Sequence, residues 1–241
     1  MSIIRHIPNT LTSGNLFLGA VGTYLAINGR PDLTAWCILL AAVFDFFDGF
    51  AARALKAYSD IGKDLDSLAD LISFGLAPAA VFSSLIHFIL TGSWESNFQT
   101  LDTMDKILVL LPFILTVFAA LRLAKFNNDT RQTENFIGLT TTATGMFTVS
   151  LVYMLYTGNE SLLQNISPWM ILAVVAVFSG LLVSEIPMFS LKFKSFGWKE
   201  NIHRYILLLA SIISLALLGV GGLSVIILLY ILYSIVLMMT K

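Results

Sequence analysis

The sequence predicts an all-α polytopic membrane bundle, and three observations carry that reading. Of its 241 residues 57% are hydrophobic and only 12% charged, where a soluble domain carries about 25% charged residues. Apolar runs of about 20 residues recur from end to end, each long enough to cross the hydrocarbon core of a bilayer. The mean hydropathy is +0.84, which leaves no room for a sizeable soluble domain. The formal net charge is -1 without a basic block, so no nucleic-acid partner is expected. The single cysteine, Cys37, lies inside an apolar run and reads as a small lipid-facing or core residue rather than a reactive thiol. Pro8, Asn9 and Thr10 follow Arg5 and His6 and interrupt any leader-like apolar stretch. With no small-residue cleavage site after them, no cleaved signal peptide is expected.

Apolar density and its breakers give eight expected spans, at roughly 10–28, 33–56, 66–91, 105–126, 137–157, 168–189, 203–219 and 223–240. The first carries Gly14, Gly19 and Gly22, small residues that let helices approach closely in lipid. The second and third are joined by a short polar loop at 53–65, and the fourth ends in the charged stretch 122–136. A basic and aromatic loop, 192–201, follows the sixth and reads as an interfacial anchor. The partly apolar Ser2–Pro8 segment is expected to lie along the interface. Gly219, Gly221 and Gly222 join the last two spans in a tight hairpin. Twelve of the 14 Lys and Arg residues then fall on one side, leaving Arg30 and Lys106 on the other. The excess of Lys and Arg puts both termini in the cytoplasm, as an even number of spans requires.

Carboxylates within membrane helices are costly and mark function by default. Asp45, Asp48, Asp66 and Asp70 sit near the cytoplasmic ends of two consecutive spans. The spacings of three and four residues put each pair on one helical face. Gly49, Ala52 and Arg53 continue the first face, and Gly62 and Ser73 the second. A short loop makes the two helices antiparallel neighbours, so the faces can meet. Four carboxylates together repel, and divalent cations relieve that repulsion. An all-oxygen ligand set suits two hard ions, Mg²⁺ or Mn²⁺. Gly49 and Ala52 then leave space for a nucleotide. The competing reading pairs the aspartates with Arg53, Lys56 and Lys63 as a solvated corner. It is accepted for Asp60 and Asp64, which are expected in the loop.

Residues 45–70 read DFFDGFAARALKAYSDIGKDLDSLAD. The segment resembles the signature of the CDP-alcohol phosphotransferase family, D-x2-D-G-x2-A-R-x8-G-x3-D-x3-D, and matches every fixed position: Asp45, Asp48, Gly49, Ala52, Arg53, Gly62, Asp66 and Asp70. PNTLTSGN (8–15), DLISFGLAPA (70–79), ALRLAKFN (120–127), FIGL (136–139) and SEIPMFSLKFK (184–194) resemble the phosphatidylserine-forming branch of that family. Thr140 and Thr142 stand where that branch usually has prolines. The resemblance spans about residues 5–200 and implies a six-span core at 1–200 with an added hairpin at 201–241.

The resemblance further implies transfer of a phosphatidyl group from CDP-diacylglycerol to L-serine with release of CMP, in a bacterial cytoplasmic membrane. Asp45, Asp48, Asp66 and Asp70 would hold the metals, with Asp70 also the general base. Membrane lipid is the expected surrounding partner, and a homodimer is compatible with it. Arg53 is a candidate for the diphosphate, or else a salt-bridge partner of a neighbouring aspartate. Asn9, Thr12 and Asn15 are candidates for the nucleotide, with helix capping by Asn9 or Thr10 the alternative. Arg122 and Lys125, with Ser73, are candidates for the acceptor, the first two otherwise serving as positive-side anchors. His6, His87 and His203 are scattered and form no ligand set. Within the family, glycerol 3-phosphate or inositol is the alternative acceptor. From another class, an ion-coupled transporter would place acids near the bilayer midplane in broken helices.

Overall fold

The computed structural model describes residues 6–95, 97–129, 131, 136–158, 165–188 and 197–239. Helix α1 (Ile7–Ile27) opens with Pro8 in its first turn, where a missing N–H costs nothing. Gly29, at φ +74°, turns the chain into α2 (Pro31–Ala54). The Ser59 hydroxyl accepts from the Gly62 N–H at 3.0 Å and so caps α3 (Asp60–Thr91). A π-helical turn at Ile72–Leu76 interrupts α3 just ahead of Pro78, whose ring cannot join the i→i−4 ladder. Helix α4 (Thr103–Asn128) is capped by Asp102, which accepts from the Asp105 N–H at 2.8 Å. Helices α5 (Thr141–Val152), α6 (Pro168–Val183), α7 (Trp198–Leu218) and α8 (Gly222–Met239) follow.

Helix α3 is the axis of the bundle. Its apolar window is 83% buried, against 22% for α2, and α1, α2, α4, α5 and α6 pack around it. Phe74, Phe82, Leu85 and Ile86 are fully buried on α3, with Ile38 from α2 and Leu115 from α4 in the same core. The outer face of α2 instead leaves Trp36, Leu40, Val43 and Phe47 exposed at helical spacing, a stripe that suits lipid. Among the described residues, four helical runs are long and apolar enough to cross a membrane: α2, α3, α4 and Arg204–Met239. The last contains the turn Gly219–Gly221 between α7 and α8, which pack against each other. Ser150 of α5 ties down that turn, donating to the Gly221 carbonyl at 2.6 Å and accepting from the Ser224 N–H at 2.9 Å.

Several boundaries differ from the sequence expectation. Asp60 and Asp64 are not in a loop but in the first turns of α3, because the Ser59 cap starts that helix early. Residues 136–137 do not begin a helix. They form strand β1 (Phe136–Ile137), antiparallel to β2 (Pro187–Met188), with Phe136 opposite Met188. Gly138, at φ +75°, then turns the chain, and Thr140 caps α5 through its hydroxyl. Thr140 thus starts the helix by a hydrogen bond where a proline would start it by its fixed φ. Helix α6 ends at Val183 rather than near 189, since Pro187 cannot continue a helix and biases Ile186 toward extended backbone. Residue His6 precedes α1 without a side-chain cap bond, so neither Asn9 nor Thr10 caps it. Arg5, Lys192, Lys194 and Lys241, and with them much of the two expected interfacial segments, lie outside the described residues.

The α1–α3 crossing depends on Gly19. A Cβ there would meet the Ser73 backbone, 2.7 Å from Cα and 2.8 Å from N. Gly19→Ala should therefore lower stability by about 1–3 kcal/mol, the usual cost of overpacking. Gly180, with nothing within 4 Å of an added Cβ, serves as the control. Thermal unfolding in detergent should show a lower Tm for the first variant and an unchanged or higher one for the second.

Candidate functional site

The last turns of α2 and the first turns of α3 bring the aspartates together. One carboxylate oxygen from each of Asp45, Asp48 and Asp66 lies within 4.8 Å of the others. The Asp70 carboxyl comes within hydrogen-bonding reach of Asp45, and it interacts electrostatically with Asp66. Helix α1 supplies the polar support. The Thr12 hydroxyl donates to Asp48 Oδ2 at 2.6 Å, and Asn15 Nδ2 reaches Asp70 Oδ1 at 3.5 Å. Asn15 is fully buried and its Oδ1 has no hydrogen-bond partner among the described residues.

No lysine or arginine among the described residues is within ion-pair distance of the clustered triad Asp45, Asp48 and Asp66. Closely set carboxyl oxygens without a paired cation are the donor set a hard divalent ion takes. The residues present therefore fit a divalent metal. Asp45, Asp48 and Asp66 converge on one point, and Asp70 extends the set through Asp45.

A cavity of about 230 Å³ opens beside the cluster. It is lined by Asn9, Thr12, Gly49, Ala52, Arg53 and Gly62, and reaches Asp48 and Asp66. Every residue that the sequence assigned to the nucleotide or diphosphate lines it except Asn15, which sits behind Asp70. Close approach of α1 explains Gly62. A Cβ there would fall 2.9 Å from both Asn9 Oδ1 and Ser59 Oγ. The Arg53 guanidinium curls over Gly49, and no ion pair engages it among the described residues. The cavity also takes in Tyr58, Ser59 and Lys63, which sequence reasoning missed as site residues. For Lys63 a signal existed, since it stands three residues before Asp66 on one helical face. Lys63 Nζ donates to the Asn127 carbonyl at 3.2 Å, and so bridges α3 to the end of α4.

The acceptor candidates separate. Arg122 is 6% exposed, faces Asp70 electrostatically, and its Nε has no hydrogen-bond partner among the described residues. Its guanidinium lies 4.7 Å above the Phe126 ring. Lys125, by contrast, pairs with Glu185, which also meets Arg131 at 3.4 Å. Hydrogen bonding to Lys125 holds the Glu185 carboxyl below its usual range. Ser73 is fully buried and its hydroxyl donates to the Asn15 carbonyl at 2.9 Å. It braces the α1–α3 crossing and does not belong to the lining of the cavity beside the aspartates.

Comparison with known proteins agrees with this geometry. The chain is 32% identical over 160 residues to the CDP-diacylglycerol–serine O-phosphatidyltransferase of Bacillus subtilis, covering 66% of this chain and 81% of that protein. It is 29% identical over 231 residues to the protein of that name from Helicobacter pylori, covering 95% and 89%. A Methanocaldococcus jannaschii protein of the same name is 31% identical over 146 residues, 61% of this chain and 58% of its own. The sequence profile of the CDP-alcohol phosphatidyltransferases matches residues 5–181, a span that contains the whole aspartate cluster and its cavity. The chain belongs to the CDP-alcohol phosphatidyltransferase family.

Proposed function

We propose that the protein is a phosphatidylserine synthase, converting CDP-diacylglycerol and L-serine to phosphatidylserine and CMP. The observation that carries this reading is the aspartate cluster with the two features it meets. Asp48 and Asp66 border the cavity bearing Arg53 and Lys63, and Asp70 interacts electrostatically with the buried guanidinium of Arg122. A nucleoside diphosphate suits the first, and a small acid with a free carboxylate suits the second. The names of the Bacillus subtilis and Helicobacter pylori relatives point the same way. An inositol acceptor brings no anion for Arg122, and glycerol 3-phosphate would call for a denser set of cations there. A transporter is not favoured, since the aspartates lie at the end of the bundle where α2 and α3 meet.

In this reading Asp45, Asp48, Asp66 and Asp70 would hold two divalent cations, Mg²⁺ or Mn²⁺. Bound there, such ions would supply the positive charge that a diphosphate and a departing CMP call for. Gly49 and Ala52 leave room for the nucleotide, and Arg53 and Lys63 offer donors to its phosphates. Thr12 fixes the Asp48 carboxylate and Asn15 orients Asp70. Arg122 takes the serine carboxylate and so places the serine hydroxyl beside Asp70. The hydroxyl oxygen then bonds to the phosphorus carrying diacylglycerol, its proton passes to the Asp70 carboxylate, and the phosphorus–oxygen bond to CMP breaks. The chain would cross the membrane eight times. Residues 1–200 would form the core and 201–241 an added hairpin, with both termini and the site in the cytoplasm. The membrane would be the bacterial cytoplasmic membrane.

Two measurements test this. Mn²⁺ binding followed by paramagnetic resonance should saturate on the wild type and weaken at least about 10–100-fold in Asp48→Asn, which keeps shape but loses a charged ligand. Chelator should stop CMP release, and added Mg²⁺ or Mn²⁺ should restore it. Full activity in excess chelator would exclude the metal site. Separately, Arg122→Ala should raise the KM for serine with little change in that for CDP-diacylglycerol, because a lost carboxylate contact weakens acceptor binding selectively. Equal losses for both substrates would remove Arg122 from the acceptor site.

A further inference from the structure

Arg122 does not stand alone. Phe126, one helical turn along α4, lies under its guanidinium at 4.7 Å. Phe126 in turn meets Phe136, ring centroids 6.0 Å apart and tilted by 40°. Phe136 belongs to β1, and so to a short strap made of residues 136–139 and 184–188. That strap is fastened at several points. Phe136 pairs with Met188, the Gly138 N–H donates to the Ile186 carbonyl at 2.9 Å, and the Leu139 N–H to the Leu181 carbonyl at 2.9 Å. Gly138 is held at φ +75° where a Cβ would lie 2.7 Å from the Leu182 carbonyl, so the turn leaves little freedom. At its outer edge Glu185 accepts from Lys125 and Arg131, both belonging to α4 and the segment just beyond it. The strap therefore touches α4 at Phe126 through Phe136 and at Lys125 through Glu185.

The geometry points to Phe126 as a positioning residue for the acceptor: its ring face, backed by Phe136 of the strap, fixes the guanidinium of Arg122 toward Asp70, and the Lys125–Glu185–Arg131 cluster latches the strap to α4. This inference rests on the acceptor reading of Arg122. The Arg122 Nε has no hydrogen-bond partner among the described residues, so no hydrogen bond at that atom sets the direction of the guanidinium. An aromatic face is one of the few surfaces that holds it without neutralising the charge a carboxylate ligand needs. It also gives Lys125 a place. Its charge is spent on Glu185, so it serves the acceptor through the strap and not by touching it.

The test uses the full chain with CDP-diacylglycerol in mixed micelles, titrated with L-serine. Phe126→Leu keeps an apolar side chain but removes the ring face. It should raise the serine KM about 3–30-fold, the range a desolvated cation–π contact spans, while the KM for CDP-diacylglycerol and the Tm stay near wild type. Phe126→Tyr, which keeps the ring, should restore the wild-type serine KM. Glu185→Gln should raise the serine KM about 2–5-fold at low ionic strength, as exposed ion pairs allow, and high salt should bring the wild type toward the variant. An unchanged serine KM in Phe126→Leu beside normal wild-type turnover would overturn the positioning role alone. Equal shifts in both substrate constants, or failure of Phe126→Tyr to recover, would reduce Phe126 to packing and likewise overturn it. Absence of serine-dependent CMP release in the wild type would overturn the acceptor reading and this inference together.

Discussion

Four carboxylates held side by side at one end of a membrane bundle repel one another, and the rest of the structure is arranged around that repulsion. Asp45, Asp66 and Asp70 are half-buried and Asp48 is buried, and no basic side chain among the described residues pairs with the triad. The arrangement persists because each acid is fixed by a helix whose place is set elsewhere. Asp45 and Asp48 ride on α2, and Asp66 and Asp70 on α3. Helix α1 locks the two together through Thr12 on one acid and Asn15 on another. The buried core that holds α3 on the axis lies beyond the site, around Phe74 and Phe82. Its packing therefore offsets the electrostatic cost at the helix ends. Divalent cations held by these acids would turn that cost into binding energy for a diphosphate.

Small residues do different jobs at the two levels of this design. Gly19 lets α1 touch the backbone of α3 at Ser73, and that contact sets the height of Asn15 against Asp70. Gly62 admits the Asn9 side chain, and Gly49 and Ala52 keep the cavity wall low. The π-helical turn at Ile72–Leu76 begins two residues after Asp70. It changes the helical register between the acidic end of α3 and its apolar core. Such turns are common where a helix must serve a site and a core with different pitch requirements.

Much of this was legible in the sequence. The aspartate spacings alone put two acids on each of two helical faces, and the structure brings those faces together as expected. Gly49, Ala52, Arg53 and Gly62, read in the sequence as nucleotide or diphosphate candidates, line one cavity. What was hidden depends on contacts between distant segments. Lys125 and Arg122 look alike in a charged helix end, and only Glu185, 60 residues further on, tells them apart. Ser73 continued the acidic face on paper, yet the approach of α1 buries it. The strand pair at 136–137 and 187–188 is too short for any alternation of polar and apolar residues to reveal. Asp60 and Asp64 belong to α3 and not to the loop because Ser59 caps that helix, and Ser-Asp before an amphipathic run is the helix-start signal that marks it in the sequence.

The central claim joins a divalent-metal aspartate cluster to an acceptor that carries a carboxylate. Its most direct test offers purified protein, CDP-diacylglycerol and Mn²⁺ together with equal concentrations of L-serine, glycerol 3-phosphate and inositol, and identifies the lipid product by mass. The account predicts phosphatidylserine as the dominant product, formed in step with CMP. Dominant formation of the glycerol 3-phosphate or inositol lipid in the same mixture would contradict it.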